Sequence, residues 1–370
     1  AANNLTNYDW AAYGGGSLSD TNFSSQLLIG YSKSFDRFNI GANVFRNFGD
    51  SSSGNWINGG QDYDPAWTVH SKVKNVWGIS LEPGYYFSED SLGYLKLGWA
   101  SGDTEFSDTY GSGGLLYTDG TFSKKTNGVL YGFGLKQSIG SNLFLGAELS
   151  KIDFNKKSLD DNSFTQKPTQ TQALVTLGYN FSDNKHDTVS QFQAGLLNGP
   201  YLQFGAGLVN NTSKSYLDQD AGYGGNVGKS LGGGQIAIGY SQNINNFNIA
   251  GNIHFNIGAE DAGTTNITAY YGNYPINAKI KNNWGIAFEP GLYLSESSLC
   301  FLKLGLEFAD IRYHDSYNAT LPYSNTISKS STGFSYGVGF KQLLTSNVYI
   351  GAEISRTEFD AKHYSVLESP

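Results

Sequence analysis

The sequence predicts an all-β chain: an up-and-down antiparallel transmembrane β-barrel organised as two eight-stranded-type repeats. Three observations predict it. Apolar residues alternate with small or polar ones at period two. Short and long connections alternate along the chain. Long stretches of text also occur twice in the same order. Asn75–Gly98, NVWGISLEPGYYFSEDSLGYLKLG, returns as Asn282–Gly305, NNWGIAFEPGLYLSESSLCFLKLG. Gly128–Phe154 returns as Gly333–Phe359, and FNIGAN from Phe38 as FNIAGN from Phe247. A unit of roughly half the chain is therefore read as duplicated, a period too long for a solenoid or a propeller blade.

Composition fits this class. The 370 residues permit two domains or one large barrel. Charged residues are only 15%, aromatic residues also 15%, and the net charge is −8, which argues against a nucleic-acid partner. One cysteine excludes an intrachain disulfide framework. No apolar run is long enough for a transmembrane helix. A negative mean hydropathy does not argue against the membrane, because alternating strands give a weak signal per segment. The N-terminal AANNLTNYDW lacks a basic-then-apolar targeting segment, and its leading Ala-Ala favours a chain read after cleavage.

The first copy reads as eight strands near 10–17, 24–33, 38–48, 74–87, 92–106, 128–137, 143–154 and 171–181. In 76–87 one face carries Trp77, Ile79, Leu81, Pro83, Tyr85 and Phe87, and the other Gly78, Ser80, Glu82, Gly84 and Tyr86. Trp284, Ile286 and Phe288 repeat the apolar face in the second copy. Connections near Ser34–Arg37, Ser88–Ser91 and Ser138–Asn142 are tight, whereas 49–73, 107–127 and 155–170 are long and rich in Gly, Ser, Asn and Asp. Short turns at one end and long loops at the other are the rhythm of an outer-membrane barrel. A soluble β-sandwich or lipocalin-like barrel would turn its apolar face inward. The opposite face here is too small and polar to make an ordinary core, so Trp77, Ile79, Leu81, Phe87, Trp284, Ile286 and Phe288 are expected to face lipid.

These residues resemble the small outer-membrane barrels of the OmpA-like, OmpX-like and opacity-type group. The resemblance rests on the eight-strand rhythm, the Trp-Gly-x-x-x-Glu-Pro-Gly strand at 77–84, and the strand Ala173–Phe181 ending in Tyr-Asn-Phe. It implies a bacterial outer-membrane location, with membrane lipids, lipopolysaccharide and the barrel-insertion machinery as partners. In such proteins a final aromatic residue is the insertion signal, and Phe181 matches it in mid-chain. The resemblance covers nearly all of the first copy and most of the second. It is specific for architecture and weak for activity, because this fold hosts adhesins, anchors, narrow channels and enzymes.

The polar face carries Glu82, Lys96, Lys136 and Glu148, repeated as Glu289, Lys303, Lys341 and Glu353. Two acids and two bases per copy, on four successive strands, are expected to pair within a narrow interior, because an unpaired buried charge is costly. The structural reading is a network that plugs the lumen, supported by inward Tyr86, Tyr94 and Phe144. The functional reading is a constriction in an ion pathway. The charge balance makes acid–base catalysis the weaker reading.

Other motifs carry no assignment. Gly224–Ser230 resembles a phosphate-binding loop but has three residues rather than four between Gly224 and Gly228. His70, His186, His254, His314 and His363 show no metal-ligand spacing, and His254 is expected to face the lumen. Asp62/Asp64 and Asp218/Asp220 read as solvated loop carboxylates, and Cys300 as incidental beside a tight turn. No catalytic residue, metal site or cofactor is assigned.

The domain reading is a first barrel repeat at 1–181, a linker at 182–200 and a second repeat at 201–370. Val189, Phe192 and Leu196 are spaced for a short interfacial helix in the linker. The second copy lacks a full last strand after Phe359. Truncation, strand exchange or homo-oligomeric assembly, and a merged barrel of about sixteen strands are its three explanations. The expected function is non-enzymatic: presentation of polar surface loops for adhesion, envelope structure or assembly. A porin with an aqueous channel is the alternative.

Overall fold

Residues that alternate a bulky apolar side chain with Gly, Ser, Asn or Thr satisfy two environments at once, and they form strands along almost the whole chain. The computed structural model describes residues 2–10, 14–22, 24–49, 51–58, 66–112, 115–139, 142–158, 164–181, 197–216, 224–269, 272–319, 321–344 and 347–361. The expected helix carrying Val189, Phe192 and Leu196 lies outside these residues, as do the loop carboxylates Asp62, Asp64, Asp218 and Asp220.

The strands divide between two units. The first comprises residues 1–185, 210–230 and 262–275, and the second 186–209, 231–261 and 276–370. The N-terminal half supplies β1 (Ala2–Trp10), β2 (Gly14–Asn22), β3 (Ser25–Phe35), β4 (Phe38–Phe48), β5 (Ser51–Asn58), β6 (Ala66–Ser88), β7 (Ser91–Ser112), β8 (Leu115–Ser138), β9 (Leu143–Phe154), β10 (Lys157–Ser158) and β11 (Phe164–Tyr179). The C-terminal half supplies β12 (Gly199–Tyr216), β13 (Gly224–Ile244), β14 (Phe247–Gly258), β15 (Asp261–Ala269), β16 (Gly272–Ser295), β17 (Ser298–Ala319), β18 (Leu321–Leu343) and β19 (Tyr349–Phe359).

In the first unit an antiparallel ladder runs β3–β4–β6–β7–β8–β9–β11. It then passes from β11 to β1 (Gln172↔Ala2 to Phe164↔Trp10) and from β1 to β2. At the end bearing the long hairpins the wall thus continues past β11 through β1 to β2. Toward the tight turns, β3 and Ala173–Tyr179 of β11 carry a ladder on one side only among the described residues, so the barrel is not closed along its height. Exposure agrees: Ile29 and Tyr31 on β3 are 71% and 75% exposed, and Leu177 on β11 is 69% exposed. The backbone of 210–230 and 262–275 also pairs here, with Val227 opposite Leu18 and Thr265 opposite Gly16.

In the second unit the ladder runs β13–β14–β16–β17–β18–β19. β12 lies against β13, since a Cβ on Gly239 would meet the Tyr201 ring. Among the described residues no strand follows β19.

Two sequence expectations change. The expected strand at 10–17 is instead divided between two strands: Trp10 ends β1, Gly14 begins β2, and the two pair antiparallel from Trp10↔Gly14 to Ala2↔Asn22. The expected long loops 49–73, 107–127 and 155–170 are largely strand. Ser51–Asn58 pairs with β6, Ser101–Ser112 pairs with Leu115–Asn127, and Lys157–Ser158 pairs with β11. Gly, Asn and Asp are needed only at a hairpin tip, whereas the flanking Thr, Ser, Tyr and Val residues are good strand formers.

The repeated words have local causes. Asn75 and Asn282, at φ 52° and 50°, sit at a bulge where the ladder to the next strand slips before Trp77 and Trp284. Asparagine tolerates that left-handed conformation better than most residues. The tight turn between β3 and β4 places Asp36 at φ 54°, and that between β13 and β14 places Asn245 at φ 54°.

Candidate functional site

Alternation sends the expected lipid-facing row outward. Trp77, Ile79, Leu81, Trp284, Ile286 and Phe288 are 43%, 51%, 57%, 39%, 44% and 47% exposed. Phe87 is half-buried because its ring covers Gly93. Phe181, two residues past the end of β11, is exposed and meets the Tyr179 ring edge-on at 5.2 Å between centroids.

The opposite face of the first unit is filled in three storeys. Nearest the turns lies the charge tetrad. Lys96 Nζ donates to Glu148 Oε1 and Oε2 at 2.9 and 2.8 Å, and Lys136 Nζ to Glu82 Oε2 at 2.6 Å. Glu82 Oε1 accepts no hydrogen bond but lies 3.7 Å from Lys96 Nζ, so charge attraction is its compensation. Tyr94 donates to Glu148 Oε2 at 2.9 Å, and its ring lies under Lys136. Above this sits an apolar cluster of Phe45, Val73, Val76, Ala100, Leu130, Ile152 and Phe154, all buried. Beyond it hydroxyls and amides close on one another. Ser71 donates to Thr6 and Gln166, Gln166 to Thr104, and Gln170 to Ser51. Paired charges, an apolar layer and a hydrogen-bonded amide layer thus follow one another along this face.

The second unit repeats the lower storey. Lys341 Nζ donates to Glu289 Oε2 at 2.6 Å and Lys303 Nζ to Glu353 Oε1 at 2.7 Å. Lys341 also lies over the Tyr201, Phe301 and Tyr349 rings. The structure therefore brings all eight sequence-selected charges into two separate interior groups, one within each unit.

The middle storey differs. By the matched segments, Phe45 corresponds to His254, Val76 to Asn283, Ala100 to Glu307, Leu130 to Ser335 and Ile152 to Thr357. The register agrees: Leu130 faces Ile152 across the ladder as Ser335 faces Thr357. His254 Nε2 lies 2.7 Å from Glu307 Oε1, and His254 Nδ1 lies 3.0 Å from Asn252 Oδ1. Asn252 in turn donates to Glu289 at 2.6 Å, joining the new pair to the repeated charges. Both His254 and Glu307 are buried. His254 was expected in the lumen, whereas Glu307 escaped sequence reasoning because a search for matched charges skips a position matched to alanine.

Beyond the apolar band, Lys72 and Lys74 both bridge Glu105, at 2.8 and 2.6 Å. Burial would raise the Glu105 carboxyl, but hydrogen bonds from the two lysines outweigh it and hold the group below its ordinary value. Hydrogen bonds from Asn282 and Ser330, helped by the charge of Arg312, hold Asp310 low in the second unit. The described residues contain no cluster of metal-ligating side chains.

No curated protein matches the chain at a significant level. The crystal structure of Ail, the attachment invasion locus protein of Yersinia pestis, is similar at 14% identity, over 48% of this chain and 93% of that one, with a TM-score of 0.22. Residues 188–366 match the outer membrane protein beta-barrel domain family. That match, on an antiparallel all-β chain whose outward rows are apolar, gives the protein an outer-membrane-type β-barrel domain over 188–366 and places it in the bacterial outer membrane.

Proposed function

We propose that the chain is a non-enzymatic outer-membrane anchor, two units descended from one ancestral barrel, that presents strand-extended hairpins at the cell surface for adhesion, envelope structure or assembly. The observation that carries this reading is the three-storey filling of the first unit, with its charges neutralised in pairs beneath the apolar cluster. Such a fill makes the wall a support rather than a pore. Recording from the purified protein in planar bilayers tests it. The expected trace shows no stable open level; a large, steady conductance overturns it.

A narrow channel is the second reading, favoured by the polar middle storey of the second unit. On that reading His254 and Glu307 form the constriction, and Glu307→Gln changes ion selectivity.

A further inference from the structure

Just outside the apolar band of the second unit, a basic cleft stands where the first unit has a closed ion-pair cluster. Along β17 the outward row Leu304, Leu306 and Phe308 continues as Asp310, Arg312 and His314. The ladder sets Lys279 opposite Arg312, and sets Asn277 and Thr326 on either side of His314. With Asp261 these five residues line a cleft of about 340 Å³.

In the first unit the corresponding rung pairs Lys72 with Glu105, and Glu105 neutralises both Lys72 and Lys74. In the second unit Arg312 replaces that acid, so two cations face each other across the rung. Nearby acids are largely engaged. Asp310 accepts from Asn282 at 2.7 Å and Ser330 at 2.8 Å, and Glu260 lies 3.5 Å from Lys281. Asp261 alone contributes negative charge to the lining. Arg312 Nε is buried without a hydrogen-bond partner among the described residues. A guanidinium beside an ammonium, with a donor left unused, calls for a multidentate anion.

We propose that this cleft binds a phosphate group, carried by a phosphorylated glycolipid of the outer leaflet. The depth argues for the lipid source: Trp284 and Phe308 stack at 4.6 Å at the edge of the apolar band, and the cleft begins two same-face rungs beyond them, past Lys281 and Asp310. An anion held there lies level with headgroups when the hairpin end faces outward. That depth argument rests on the anchor reading; the anion chemistry of the cleft does not.

The test titrates the full chain in detergent micelles with sodium pyrophosphate, with purified lipopolysaccharide and with dephosphorylated lipopolysaccharide. It compares wild type, Arg312→Glu, Lys279→Gln and, as a control in the first unit, Lys72→Gln, with circular dichroism to establish folding. Lipopolysaccharide is expected to bind wild type and Lys72→Gln alike, to weaken by about tenfold or more for Arg312→Glu and Lys279→Gln, and to fail when dephosphorylated. Pyrophosphate binding with the same dependence supports the phosphate site. Pyrophosphate binding without lipopolysaccharide binding keeps the site and overturns its lipid source. No binding to wild type, or equal binding to folded Arg312→Glu, overturns the proposal, whatever the bilayer recordings show.

Discussion

His254 Nε2 and Glu307 Oε1 stand 2.7 Å apart at the positions that Phe45 and Ala100 fill in the first unit. One wall pattern thus encloses an oily storey in one unit and a hydrogen-bonded His–Glu storey in the other. Removing Glu307 leaves the buried His254 Nε2 without its partner, so Glu307→Ala is expected to cost about 1–3 kcal/mol. The joint change His254→Phe with Glu307→Ala, which copies the first unit, is expected to be neutral or stabilising by about 1–4 kcal/mol. Urea unfolding in detergent or lipid vesicles reads both. Equal losses from the single and joint variants would show that the pair is not coupled.

Two glycines make room for interior rings. A Cβ on Gly134 would meet the Tyr94 ring, and one on Gly339 would meet the Phe301 ring. Gly134→Ala and Gly339→Ala are each expected to destabilise by about 1–3 kcal/mol through overpacking. Adding Tyr94→Leu to Gly134→Ala should recover part of that loss in the same unfolding assay.

Leu81 and Phe288 lie midway along the outward apolar rows. Arginine at either position is expected to cost about 2–4 kcal/mol if the row faces the hydrocarbon midplane. Folding yield into vesicles of defined thickness measures this, and a loss near zero would contradict the lipid-facing assignment.

Acid should loosen the β6–β7 hairpin of the first unit. Glu105 lies below its ordinary value of 4.5 in the folded protein, so its contribution is fully present above that value. It is lost as pH falls through the lower folded value. Amide protection in 102–112, taken relative to the intrinsic exchange rate at each pH, should fall in wild type from pH 6 downward, whereas Glu105→Gln should show the lower protection already at pH 6.

Much of this architecture was legible because a barrel wall is written one residue at a time. Alternation around Trp77–Phe87 and the matched charges Glu82, Lys96, Lys136 and Glu148 depend only on which face a side chain takes. The hairpin extensions were less legible, because Ser, Gly and Asn serve strands and loops alike and only the ladder partner distinguishes them. The 10–17 stretch shows the same ambiguity, since the end of one strand and the start of its partner read as a single strand when both alternate. Glu307 and Arg312 were hidden for another reason. Comparing two copies for what they share directs attention away from their differences, and both residues replace a different kind of side chain at a matched position.

Thiol labelling inside the first unit bears most directly on the claim that its lumen is filled. In a Cys300→Ser background, Ala100→Cys places the only thiol beside Phe45 and Leu130, at a position with no exposed surface. The account predicts that a water-soluble maleimide leaves Ala100→Cys unmodified in the folded, membrane-inserted protein while labelling Asn155→Cys, an exposed control, to completion. Rapid labelling at Ala100→Cys without unfolding would mean a water-filled lumen and would contradict the anchor reading.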